Sequence, residues 1–179
     1  DDYLNFNHPH QKNIRNVFEQ FSENKIYKKN FGVDGCSAPQ YAFKLKDINK
    51  LLINLIKSYK KKFDYFYETK LLMDSILENP NFIGGTDSLD STIIKISKKR
   101  IFCKGGAEGV FLFLDLKKEI CGVVKIADGN ERAIPPLLFN IFKKLKMMNA
   151  QELNQYRKIY KFEQLNHANI LVGTIETNI

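Results

Sequence analysis

Apolar positions first recur at a helical period. Within residues 10–22, Ile14, Val17, Phe18 and Phe21 are spaced by three or four and predict an amphipathic helix. His8, in the HPHQ run just ahead of it, reads as a helix-entry residue. Residues 44–59 carry the clearest stripe, made of Leu45, Ile48, Leu51, Leu52, Leu55 and Ile56. The lysines that follow, Lys57, Lys60, Lys61 and Lys62, suit a helix C-terminus, where cations meet the negative end of the dipole. Residues 64–78 continue helical and stop at Asn79-Pro80. The stretch NFIGGTDSLDS, residues 81–91, reads as a Gly/Ser/Asp loop, and residues 91–97 as a short helix.

The period then changes. Residues 110–116 and 120–127 are β-rich runs separated by Lys117-Lys118-Glu119, which predicts a hairpin. Both runs are apolar almost throughout, so the strand pair should be covered on both faces. Residues 132–148 read as a helix with Pro135 and Pro136 near the first turn, where proline is tolerated. Its stripe for burial is Leu137, Leu138, Ile141, Phe142 and Leu145. A weaker helix over 149–162 and a closing strand over 170–176 complete the pattern. There is no internal repeat and no linker. Helices, then a hairpin, then helices and a last strand predict an α/β fold of the α+β type, with an antiparallel sheet flanked by helices.

Composition adds bounds. At 179 residues and 44% hydrophobic, the chain can bury a core. No run of about 18 apolar residues occurs, which argues against a transmembrane helix. The opening DDYLNFNHPHQ has neither the basic nor the apolar region of a signal peptide. Three scattered cysteines, Cys36, Cys103 and Cys121, do not make a disulfide framework or a zinc finger, so a cytoplasmic setting is expected. The net charge of +8 raises a nucleic-acid or polyanion partner. However, only Arg15, Arg100, Arg132 and Arg157 among the 28 basic residues are arginine, the residue that reads bases and clamps phosphates. Solvated lysine faces are the favoured reading, with a non-enzymatic polyanion-binding module as the alternative.

Two stretches could carry chemistry. In FCKGGAEGV, residues 102–110, two glycines after Lys104 let the backbone pass close to a ligand. Lys104 would sit at the entrance of a sheet strand, where a partly desolvated lysine can serve as a base, although most lysines are solvated. In FGVDGCSAP, residues 31–39, Cys36 stands between two turns. One thiolate is not a metal site, and a cysteine packed beneath a turn is the plainer reading. Cys103 and Cys121 read as core. His10 and His167 have no motif around them, and no Ser-His-Asp set can be assembled.

Taken in order, residues 2–4 (DYL), HPHQ, GVDGCSAP, CKGGAEGV, KIADGNERA and the closing ANILVGTI resemble the rhizobial-type, or class 3, L-asparaginases of the asparaginase II protein family. The resemblance implies a fold similar to the serine β-lactamases and glutaminases. It also implies hydrolysis of L-asparagine to aspartate and ammonia by serine–lysine pairs. By the same resemblance, Lys104 matches a lysine that pairs with a serine, and Cys36 matches a cysteine beside a zinc ion. Glu108 and Arg132 lie in matching motifs, and could either hold the substrate's charged α-groups or serve as loop and helix-start partners, Arg132 for Asp128. The family's Ser-x-x-Lys motif, a second serine segment and a Cys-Ser-Gly-Lys-His segment belong to a first half expected to be missing. Residues 1–179 would then be a C-terminal portion, inactive alone. It would work with a separate N-terminal chain, or be a remnant, with a homodimer left open. An exposed apolar surface or sheet edge is expected where that half would pack.

Overall fold

The computed structural model describes residues 2–179. The chain divides into two compact units, Asp1–Thr69 and Lys70–Ile179.

In the first unit, helix α1 (Pro9–Ser22) begins where His8 accepts a hydrogen bond from the His10 N–H at 3.1 Å, so His8 is the helix-entry residue its position predicts. Strands β1 (Phe31–Val33) and β2 (Pro39–Tyr41) form a short antiparallel hairpin around the GVDGCSAP turn. Helix α2 (Leu45–Tyr59) packs on α1 through Phe21, Leu52 and Ile56, all nearly inaccessible to solvent. Buried Asn54 donates to the Phe21 carbonyl at 2.8 Å and ties the two helices together. Leu45, in the predicted stripe, is exposed because it opens α2, before the helix lies against α1. Helix α3 (Phe66–Glu78) starts in this unit and runs into the next.

The second unit opens with short helix α4 (Asn81–Gly84) and helix α5 (Leu89–Ile96). These replace most of the loop expected over 81–91. Ser88 caps α5, and the apolar Ile93, Ile94 and Ile96 that follow are buried, so packing overrides the turn-forming composition.

The predicted hairpin exists as β4 (Val110–Asp115) and β5 (Ile120–Lys125), but it belongs to a three-stranded antiparallel sheet of order β3-β4-β5. The third strand, β3 (Ile101–Gly106), contains the Lys-Gly-Gly run that the sequence places ahead of a strand. Central β4 is buried along most of its length, while β5, at an edge, is only half-buried. Phe113 pairs with Gly122 across the ladder, and a Cβ at position 122 would overlap the Phe113 ring. Only glycine lets that ring lie flat on β5.

Helix α6 (Ile134–Lys144) carries Pro135 and Pro136 in its first turn, and α7 (Ala150–Ile159) follows it. Leu138, Phe142, Met147 and Tyr156 fill the core with Ile93, Ile101 and Leu114. Leu145 is exposed because the helix ends there. The expected closing strand is present as β7 (Leu171–Thr174), but it pairs with β6 (Glu163–Leu165) in a separate two-stranded hairpin. An apolar exposed surface is found on α3 and α4, where Leu71, Leu72 and Phe82 face solvent. Among the described residues, no helix is long and apolar enough to cross a membrane.

Candidate functional site

Strand alternation orients Lys104. Cys103 points into the core and is fully buried, so its neighbour Lys104 projects the other way and is about half exposed. Burial pushes the Cys103 thiol well up, with the nearby Asp90 charge adding to the effect, which makes it an inert core residue.

Lys104 faces the first turn of α5. There Asp90, 4% exposed, accepts from the Ser91 N–H at 3.0 Å through Oδ1 and from the Gly105 N–H at 3.2 Å through Oδ2. The same Oδ2 lies 3.8 Å from Lys104 Nζ, which also donates to the Gly105 carbonyl. The pair opens onto a cavity of about 550 Å³ whose lining includes Gly84, Ser88, Gly106, Glu131 and Tyr160. That volume falls within the usual range for a small-molecule site. Burial raises the Tyr160 phenol, and contact with Thr92 partly offsets the rise.

Glu108 and Arg132 do not line this cavity. Glu108 sits exposed in a tight turn at φ 57°, and its carbonyl accepts from Lys125 Nζ at 2.6 Å. Arg132 is bonded to Asp128 at 2.7 Å, the loop-partner alternative of the two its position allowed. The Asn130 N–H and then Arg132 hold the Asp128 carboxyl below its ordinary range. The two loops do meet: the Gly109 carbonyl accepts from the Ile126 N–H at 2.9 Å, and Glu108 lies against Gly129. The KGGAEG and ADGNER motifs are therefore adjacent at one end of the sheet. Lys104, Gly105, Gly106 and Ala107 of the first motif line the cavity, and from ADGNER it is Glu131, next to the predicted Arg132, that reaches it.

Cys36 is exposed in the first unit, in a turn organised by Asp34. Asp34 accepts from the Cys36 N–H at 2.9 Å, the Ala38 N–H at 3.0 Å and Gln40 at 2.9 Å. These bonds, the one from Ala38 foremost, hold the Asp34 carboxyl low and occupy both of its oxygens. Among the described residues no three His, Cys, Asp or Glu side chains gather as a metal group. One exposed thiol beside an engaged carboxylate does not fit zinc, which needs three or four ligands.

The Ser-x-x-Lys spacing, expected to be absent, does occur twice, but neither instance is a serine–lysine pair. Ser22 donates to the Phe18 carbonyl at 2.6 Å while Lys25 pairs with Glu19 at 3.2 Å. Ser58 is fully buried against the Asp64 carbonyl at 2.6 Å and the Thr69 hydroxyl at 2.8 Å. The serine on the cavity wall is Ser88, and its Oγ caps α5 and bonds Ser91 Oγ at 2.7 Å.

Every arginine is engaged internally. Arg15 bonds the Phe6 carbonyl, Arg100 bonds Asp115 and Glu152, Arg132 bonds Asp128, and Arg157 bonds Glu163.

Sequence reasoning missed Asp90, Ser88, Glu131 and Tyr160. The first two fall in the stretch read as a loop, where the Ser88-x-x-Ser91 start ahead of an apolar run was the available signal for a helix.

The family model for L-asparaginase II matches residues 1–177, and the chain belongs to that family. No curated protein matches it.

Proposed function

We propose that this chain contributes the Lys104 side of a site that hydrolyses L-asparagine to aspartate and ammonia by a serine–lysine route. The observation that carries the reading is Lys104 itself. It comes from the KGGAEG motif of an asparaginase-family chain and projects into a cavity of small-molecule size beside a buried carboxylate.

In this mechanism a serine hydroxyl attacks the carbonyl carbon of the side-chain amide. Lys104 accepts or relays the hydroxyl proton, and the amide nitrogen leaves as ammonia. Water then hydrolyses the acyl-serine ester to aspartate and restores the serine. Ser88 is engaged in capping α5, so the nucleophile is proposed to come from protein outside these 179 residues, either a further part of the same protein or a separate chain. The exposed apolar side chains Leu71, Leu72 and Phe82 support such a packing partner. Asparagine and glutamine differ by one methylene, worth about 1–3 kcal/mol of discrimination in a pocket.

The test is ammonia release from L-asparagine by this chain alone and mixed with a separately made N-terminal half, with Lys104→Ala run beside each. Activity in the mixture that disappears with Lys104→Ala is the expected result. Activity of the chain alone would place the nucleophile within these residues. No activity from two folded, associated halves would leave a non-catalytic protein.

A further inference from the structure

Beside Lys104 the cavity is lined by a carboxylate that the reaction scheme does not use. Asp90 is 4% exposed, yet it keeps its carboxylate at the rim of the cavity. Three features fix it there. Its Oδ1 is held by the Ser91 N–H at the start of α5, at 3.0 Å. Its Oδ2 takes the Gly105 N–H at 3.2 Å and stands 3.8 Å from Lys104 Nζ. Behind it, Gly84 leaves the space the carboxylate occupies, since a Cβ at that position would collide with Asp90 Oδ1 and Ser88 Oγ.

A carboxylate this buried is costly unless it is paired and hydrogen-bonded. Here the same oxygen serves both a backbone amide of β3 and the ammonium next to it. Lys104 is long and about half exposed, with several χ angles free to wander. Its amine donates to the Gly105 carbonyl, and Asp90 adds a charge beside it while holding the Gly105 N–H, so both contacts of the amine depend on where Asp90 stands. Glu131 also lines the cavity, but no bond joins it to Lys104 or Gly105.

We propose that Asp90 is the positioning residue of this site, one that fixes the Lys104 amine and the β3 backbone at Gly105 in a single geometry. The catalytic consequence rests on the asparaginase reading above. The positioning itself does not.

The two are separated by two readouts. The first is acetylation of the native protein by acetic anhydride, read per lysine by peptide mass spectrometry with Lys117 as internal reference. An amine held against a carboxylate attacks the reagent more slowly than a solvated one. In the unaltered protein Lys104 should label several-fold more slowly than Lys117, and Asp90→Asn, which preserves shape and an acceptor oxygen, should remove most of that difference. Gly84→Ala pushes the carboxylate away from behind and should act in the same direction, and it keeps the test decisive if Asp90→Asn does not fold. An unchanged Lys104-to-Lys117 ratio in a folded variant overturns the proposal. The second readout is ammonia release by the active mixture, where Asp90→Asn should lower kcat about tenfold or more with KM little changed. If no ammonia is released by any form while the labelling ratio still shifts, the asparaginase reading fails and the positioning stands.

Discussion

Arg100 Nη2 donates to both carboxylate oxygens of Glu152, at 3.0 and 2.9 Å, while Nη1 donates to Asp115 at 2.9 Å and to the Met147 carbonyl at 2.6 Å. One arginine at the start of β3 thereby joins the end of β4, the start of α7 and the α6–α7 turn. Asp115 is fully buried, and Glu152 also closes the capping box of α7 with Asn149. Replacing Arg100 with Met leaves both carboxylates uncompensated and should destabilise the second unit by about 3 kcal/mol. Urea denaturation measures it. Adding Glu152→Gln should recover part of the loss, because the double variant removes one stranded charge.

Lys104 separates activity from stability. Its side chain is about half exposed and Asp90 keeps its Ser91 and Gly105 N–H donors, so Lys104→Ala should change unfolding free energy by no more than about 1 kcal/mol. Ammonia release by the complemented protein should fall about 10²-fold or more. Lys104→Arg should not restore it, since a guanidinium keeps its proton. Wild-type rates in Lys104→Arg would remove the proton-relay role.

Gly122 tests the sheet. Gly122→Ala drives a methyl group into the Phe113 ring, which is packed edge-on against Phe142 with ring centroids 5.3 Å apart. The cost should be about 1–3 kcal/mol, read as a lowered urea midpoint at unchanged m-value. Phe113→Leu in the same chain should relieve part of it.

The cysteines should differ sharply in reactivity. Cys36 is exposed, whereas Cys103 is fully buried and its thiol is pushed well up by desolvation. Burial also raises the half-buried Cys121. A colorimetric disulfide reagent should modify Cys36 rapidly in the native protein and Cys103 only after denaturation. Rapid modification of Cys103 in the folded chain would contradict the core seen here.

Acid should loosen the loop between β5 and α6 before it unfolds the chain. Asp128 is held below its ordinary value of 3.8 by the Asn130 N–H and by Arg132. A carboxyl depressed in the folded state contributes stability that is present above its unfolded value and lost as pH falls through the folded one. The Arg132 side-chain NMR signals should therefore shift in acid with a midpoint below 3.8. In Asp128→Asn that acid step should vanish. A transition above pH 3.8 would mean the pair is not formed.

Much of this fold was legible along the chain. The stripe from Ile48 to Ile56 specified α2, and the Lys117-Lys118-Glu119 break specified the β4–β5 hairpin, because periodicity and turn residues are local signals. The Lys-Gly-Gly run is an equally local signal, and in the structure Lys104 lines the cavity. The loop expected over 81–91 is where composition misled. Residues 81–91 look like a loop by composition, yet the buried face of Ile93, Ile94 and Ile96 pulls Leu89 and Asp90 into α5. Arg132, at the motif position, pairs with Asp128, and its neighbour Glu131 lines the cavity, a placement the motif alone does not specify.

The sequence by itself determined the family, the main helices and the central hairpin. Only the tertiary structure decided that Ile101–Gly106 is a strand, that the last strand pairs with β6 rather than with the main sheet, and that Asp90 stands 3.8 Å from Lys104. A pattern of apolar and polar positions records which face of an element is buried. It does not record which element lies opposite, and an ion pair such as Asp90–Lys104 exists only once α5 and β3 are packed together.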